Sequence, residues 1–332
     1  MPTNRPSRLY LTFAVGVALI ALVLILGTLA LTRLSAARRQ ASETDSRLRV
    51  LVAVDPLAYL VERIGGDRVA VSTLTPPGKD PESFSPTPSD LAALSATRLF
   101  FRVGLPIEER FAQNIASFAP NSRVVDLCEN VELLPNPCGH SHSHSEADGD
   151  HSSHPHSHSH SCSSSELDPH VWTSPAVARL LVRQATAALC ETSPENAEFF
   201  QANAATLDAE LAALQTEISQ RLAPFEGRAF VVFHPAYGYF ANEFHLTQRA
   251  IESQGKAPRP RELAKLSQEA RADGLRATIV QPEFDRAAAQ VVAKEIGAEL
   301  IVHSPLEKDY FANLRALTDA LERSFAPSSP TP

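Results

Sequence analysis

Hydrophobic and polar positions along this chain fall into three regimes. The first is an uncharged apolar run from Leu9 to Leu31, preceded by Arg5 and Arg8. It is long enough to cross a bilayer as a helix. Neither an Ala-x-Ala site nor a lipobox cysteine closes it, and Arg33, Arg38 and Arg39 follow. The run therefore reads as an uncleaved membrane anchor behind a cytoplasmic flank at residues 1–8, with cleavage after Ser35-Ala36-Ala37 as the alternative. Positive charge at both ends leaves its orientation open. Residues 40–47 form a polar linker.

The second regime alternates short apolar runs with segments of helical period. Arg49 to Val54 is a continuous apolar run after its first residue, as a buried parallel strand requires. A short helix through Leu60 to Ile64 follows, then strands at Val69–Leu74, Leu99–Val103 and Val124–Leu127. Between them lie a proline-rich loop, Thr75 to Pro88, a helix capped by Ser89, and a helix over Ile107–Phe118. Past Pro224 the rhythm resumes. Strands are predicted at Phe230–Phe233, Gln248–Ile251, Thr278–Val280 and Leu300–Val302, and helices at Pro260–Ala272, Ala287–Ile296 and Asp309–Phe325. Strand and helix alternating in this way predict an α/β fold with parallel sheets. Between the halves, Ser174-Pro175 opens a helix to about Cys190, and Ser193-Pro194-Glu195 opens another. Leu207, Leu211, Leu214, Ile218 and Leu222 recur at three- and four-residue steps, so the second helix runs from Pro194 to Leu222. At that length it can span two lobes. The resulting organisation is an N-terminal lobe at 48–190, a linking helix at 193–222 and a C-terminal lobe at 226–325.

The third regime has no period. From Pro135 to Ser165 the chain is Ser, His, Gly and acidic residues, with a disordered loop expected at 138–162. It holds His140, His142, His144, His151, His154, His156, His158 and His160, eight of the 12 histidines of the chain. Such a tract cannot be a packed core, and low-affinity metal binding is its leading reading.

Composition adds limits. With 332 residues, 44% hydrophobic and 20% charged, the chain can hold two lobes. A formal net charge of -8 argues against a nucleic-acid partner. The one methionine is Met1, so no thioether cluster for Cu(I) exists. The cysteines are Cys128, Cys138, Cys162 and Cys190. They contain no CxxC pair, and an exported chain would use them as disulfides. Cys138 and Cys162 flank the tract and could staple its base, although sequence does not choose the pairing.

Ligands of open parallel sheets bind beyond the carboxyl ends of the strands. Glu82 lies in the loop after Val69–Leu74, His234 directly follows Phe230–Phe233, and His303 directly follows Leu300–Val302. His170 stands in a stiff turn, Asp168-Pro169-His170-Val171-Trp172, at the end of the tract. Two of these belong to each half, so a site made of all four would lie in the cleft between lobes. Three imidazoles and one carboxylate suit tetrahedral Zn²⁺, whereas Mn²⁺ prefers more oxygen ligands. Each residue alone also has a plainer reading as a hydrogen-bonded core histidine or a solvated loop acid.

These motifs together resemble the solute-binding proteins of zinc/manganese ABC importers, a cluster that includes streptococcal metal-binding lipoproteins. Gly78-Lys79-Asp80-Pro81-Glu82-Ser83-Phe84-Ser85-Pro86-Thr87-Pro88-Ser89-Asp90 resembles the family's Gly-x-x-Pro-His-x-x-Glu-Pro-x-Pro-x-Asp loop. Asp168 to Pro175 and Phe233-His234-Pro235-Ala236-Tyr237-Gly238-Tyr239-Phe240 are close to its two most specific motifs. Val302 to Leu306 resembles its Leu-Asp-Pro-Leu segment. The resemblance implies two α/β lobes joined by a rigid long helix, one divalent metal between them, and delivery to a membrane permease. It also implies a zinc-specific member, from the histidine-rich loop. Glu82 stands where the family's first histidine would be and His303 where its aspartate would be, which keeps three imidazoles and one acid. The expectation is a monomeric, non-enzymatic, extracytoplasmic protein that captures zinc for an ABC importer. The alternatives are a manganese-binding relative, a zinc-storage or adhesin-type surface protein, and a zinc hydrolase. The last lacks an HExxH motif, and its one obvious spare acid, Glu283, reads as a helix-start residue.

Overall fold

The computed structural model describes residues 47–136, 167–252, 259–284 and 286–325. The apolar run, the linker up to residue 46, the histidine tract, Cys138 and Cys162 lie outside them. Among the described residues no helix is long and apolar enough to cross a membrane, and Cys128 and Cys190 are free thiols.

The N-terminal half contains β1 (Leu48–Val52), α1 (Asp55–Gly65), β2 (Val69–Thr73), α2 (Pro88–Ala93), β3 (Leu99–Arg102), α3 (Pro106–Ala112), α4 (Ile115–Phe118) and β4 (Arg123–Asp126). Two long helices follow, α5 (Pro175–Thr192) and α6 (Ala197–Leu222). The C-terminal half contains β5 (Ala229–Val232), α7 (Gly238–Glu243), β6 (Thr247–Ala250), α8 (Pro260–Ala272), β7 (Ala277–Val280), α9 (Arg286–Ile296), β8 (Glu299–Val302) and α10 (Tyr310–Phe325). The strands form two four-stranded sheets, ordered β2-β1-β3-β4 and β6-β5-β7-β8, and every pairing is parallel. Both halves thus repeat one winding. The chain moves from the first strand to a neighbour on one side, then crosses to the other side. The switch point lies beyond the carboxyl ends of β1 in one half and β5 in the other, where such sheets bind ligands.

Helix α6 has 26 residues, about 39 Å at 1.5 Å per residue. Its leucine stripe, Leu207, Leu211, Leu214, Ile218 and Leu222, is fully buried. That stripe belongs to one continuous apolar core. The core also takes in Val50, Leu51 and Phe100 of the first sheet and Phe230, Val232 and Ile279 of the second. The opposite face of the second sheet, with Ala229, Val231 and Val280, packs in a smaller core with Ala289 and Val292 of α9. The period-two alternation along β5 divides its side chains between the two cores. At its surface, α6 is bound to α1 by Arg63–Glu210, to α5 by Arg179–Asp208, and to α10 by Arg221–Glu322 and Arg315–Glu217. These partly exposed pairs contribute little energy each and mainly fix the helix's azimuth.

Three local differences from the sequence expectation have simple causes. Helix α2 starts two residues earlier than Ser89 allows, because Thr87 caps it: Asp90 N–H donates to Thr87 Oγ1, and Thr87 N–H donates to Asp90 Oδ2 at 2.8 Å. The single helix expected over Ile107–Phe118 breaks at Gln113-Asn114, where Asn114 N–H turns back to the Phe111 carbonyl. Pro194–Asn196 is a separate 3-10 turn ahead of α6. The ends of the histidine-tract segment meet: Pro135 pairs with Leu167, and Asp168 N–H donates to the Leu134 carbonyl at 2.8 Å. The chain therefore leaves and rejoins the fold at one point.

Candidate metal centre

Each half delivers side chains to the cleft by the local rules that shape its loops. Glu82 sits in the proline-rich loop after β2. Its N–H donates to Asp80 Oδ1 at 2.9 Å, an Asx turn that holds the loop closed. His170 sits in the turn ahead of α5, 5% exposed, and its N–H donates to Asp168 Oδ1 at 2.9 Å. His234 follows β5 at the switch point of the second sheet and is 6% exposed. Gln281, at the end of β7, clamps its backbone: the Gln281 amide donates to the His234 carbonyl at 2.7 Å and accepts from the His234 N–H at 3.2 Å.

These three side chains, from both halves, converge. His170 Nε2 lies 3.4 Å from His234 Nε2, and each lies 3.8 Å from Glu82 Oε1. A triangle with those sides has a centre about 2.1 Å from every corner, which is the Zn–N and Zn–O bond length. A cavity of about 10 Å³, room for one water-sized body, opens against His170 and His234 beside Asp80 and Pro81 of the Glu82 loop.

The protonation pattern points the same way. His170 Nδ1 lies 2.7 Å from Asp168 Oδ1, and His234 Nδ1 lies 2.9 Å from Glu252 Oε1. A carboxylate at Nδ1 fixes the proton there and leaves the Nε2 lone pair free. The two Nε2 atoms then stand 3.4 Å apart with both lone pairs free, an arrangement that a shared cation relieves. Phe284 stacks on His234 with ring centroids 5.0 Å apart, and Trp172 lies edge-on to His170 at 5.4 Å, so neither imidazole can swing away. Burial lowers the His234 pKa, but the Glu252 hydrogen bond and the charges of Glu82, Glu252 and Asp80 outweigh it, and the net shift is upward.

His303, expected as the fourth donor, does not reach this point. Its Nε2 lies 3.1 Å from the Asn313 carbonyl of α10, and its Nδ1 lies 2.9 Å from the Tyr237 hydroxyl. Burial holds its pKa below the usual imidazole value. Both its nitrogens are thus engaged, and among the described residues the donor atoms within 4.8 Å of one another are those of Glu82, His170 and His234. The reason lies in the alternation of side chains past β8: Ser304, the next residue, turns the other way and donates to Glu283 Oε1 at 2.8 Å. In the Leu-Asp-Pro-Leu pattern the acid directly precedes the proline, and Ser304 holds that place before Pro305.

Neither Asp168, although it opens the motif Asp168 to Pro175, nor Glu252 is among the donors expected from the sequence. Glu252 follows β6 by two residues, so the strand-end rule applied to His234 and His303 reaches it too. Asp168 lies two residues before His170 in the same stiff turn. Its Oδ2 is buried without a hydrogen-bond partner among the described residues, against Gly238, where any Cβ would come within 2.6 Å of it. Gly238 is therefore required for Asp168 to hold His170. Asp168→Asn and Glu252→Gln are each expected to cost about 10- to 100-fold in metal affinity. A titration competed by a chromophoric chelator checks this, with unchanged affinity as the contrary outcome.

Residues 50–324 match the family model for the zinc-uptake complex component A, periplasmic. A putative metal-binding protein of Treponema pallidum is 27% identical over 81% of this chain and 82% of its own length. The high-affinity zinc uptake system protein ZnuA of Bacillus subtilis is 29% identical over 82% of this chain and 83% of its own. Among solved structures, a ZnuA deletion mutant with zinc bound superposes with a TM-score of 0.75 at 29% identity, covering 85% of this chain and 100% of that one.

Proposed function

This chain belongs to the family of the periplasmic zinc-uptake complex component A, and from that premise we propose that it captures one Zn²⁺ between its lobes with high affinity and hands it to an ABC-type permease. Proteins of this family are metal-binding transport proteins, not enzymes. The observation that carries the reading is the convergence of Glu82, His170 and His234 on a centre about 2.1 Å from each donor atom. Two imidazoles and one carboxylate favour zinc over manganese. The zinc named for the Bacillus subtilis relative and in the structural neighbour supports the same choice.

In this reading the apolar run at 9–31 holds the body on the outer face of the membrane. The histidines from His140 to His160 raise the local zinc concentration or sense its excess. The continuous core through α6 favours small loop shifts on release over wide hinge closure. The test is metal titration of the full chain and of the same chain without residues 138–162, whose neighbours already meet at Pro135 and Leu167. The deletion should remove the weak sites and leave one tight zinc per chain. Loss of the tight site with the tract would make this a storage protein, and equally tight Mn²⁺ binding would make manganese the cargo.

Both imidazoles bind zinc in the neutral form, so protons compete with the ion. Because the His234 pKa is raised, that competition begins above the ordinary imidazole value of about 6.5. Affinity should fall steadily as pH is lowered from roughly 8 to 5. A binding constant flat over that range would contradict the assignment of His234.

A further inference from the structure

Three donors whose common centre lies in their own plane leave the ion open above and below, and protein-bound zinc usually takes four donors. The residue expected to supply the fourth, His303, is engaged elsewhere. The polar residues on the wall of the metal cavity, besides the two histidines, are Asp80, Gln281 and Glu283. Gln281 spends both ends of its amide on the His234 backbone. Asp80 holds the Glu82 N–H and so shapes its own loop. Glu283 differs in two respects. Ser304 donates to its Oε1 at 2.8 Å, and metal-binding carboxylates are commonly oriented by such a contact. It also lines the larger cleft cavity of about 180 Å³, beside Asp55, Thr75 and Lys79 of the N-terminal half. Glu283 therefore lines both the metal cavity and the opening beside it, and it stands just outside the group in which Glu82, His170 and His234 lie within 4.8 Å of one another, so its carboxylate turns inward to reach the ion.

We propose that Glu283 is the fourth zinc donor, reaching the ion from the side of the outer cleft while Ser304 holds its other oxygen. The proposal rests on the reading that His170 and His234 hold the ion. It would make the site two imidazoles and two carboxylates, with one acid from each half, Glu82 and Glu283. Such a set is neutral overall with Zn²⁺ bound and both imidazoles uncharged.

Glu283→Gln tests it, because glutamine keeps the shape and the acceptor for Ser304 but lacks the charge. Zinc affinity should fall at least about tenfold. The ligand-field spectrum of the Co²⁺-substituted protein should change in band position and intensity. Ser304→Ala, which keeps the carboxylate but not its orientation, should produce a smaller loss in the same direction. Thermal unfolding of the metal-free variants separates a folding defect from a ligand defect. Unchanged affinity and an unchanged Co²⁺ spectrum in Glu283→Gln overturn the proposal, as do both changes appearing in Asp80→Asn and not in Glu283→Gln. His170→Ala measured in parallel separates the two levels. If it abolishes binding while Glu283→Gln does nothing, only the fourth donor falls. If it leaves binding intact, the whole site falls.

Discussion

His170→Ala is expected to abolish tight zinc binding, weakening it by more than about a hundredfold, the upper end of what even a supporting contact costs. The substitution removes one corner of the donor triangle and leaves Glu82 and His234 3.8 Å apart, too few donors to hold zinc tightly. It also strands Asp168, whose Oδ1 then loses the Nδ1–H it receives at 2.7 Å. The fold should survive, because His170 lies in a turn at the cleft while the core runs through α6. Isothermal titration of the chain without its histidine tract reads the effect directly, and a zinc stoichiometry near one with unchanged affinity would remove His170 from the site.

Trp172→Ala should give the largest loss of stability, about 3–5 kcal/mol. Trp172 is 1% exposed and is among the largest fully buried side chains. Its indole N–H donates to the Pro305 carbonyl at 2.9 Å, joining the turn ahead of α5 to the loop after β8. Removal leaves both a cavity and an unpaired buried carbonyl, two costs that add. It also withdraws the edge that braces His170, so zinc affinity should fall as well. Trp172→Phe refills most of the volume without restoring the hydrogen bond and should lie between wild type and alanine. Denaturant unfolding of the metal-free protein measures the difference. A loss below about 1 kcal/mol would mean that the two loops are not held together through this residue.

Much of the architecture was legible because it rests on period. The apolar runs at β1, β3, β5 and β7 are buried on both faces and read as strands without help from the rest of the chain. The α6 stripe is spaced at three and four residues, and every one of its members is buried. Helix ends were less legible where two caps compete, as Thr87 and Ser89 do. At the centre, His170 and His234 were legible because each follows a strand or opens a helix within a stiff, proline-bearing turn. His303 meets the same positional rule yet faces away, because position after a strand does not fix which side a side chain takes. Glu252 is not legible as a partner of His234, because it reaches His234 Nδ1 at 2.9 Å from the end of a different strand and nothing in its spacing marks that pairing.

The central claim is that donors far apart in sequence, from both halves of the chain, share one ion. Zinc-edge anomalous diffraction from crystals of the zinc-loaded protein addresses it most directly. The account predicts one strong peak, about 2.0–2.2 Å from Glu82 Oε1, His170 Nε2 and His234 Nε2 together. A zinc peak held within one half alone, or none within bonding distance of His170 and His234 at once, would contradict it.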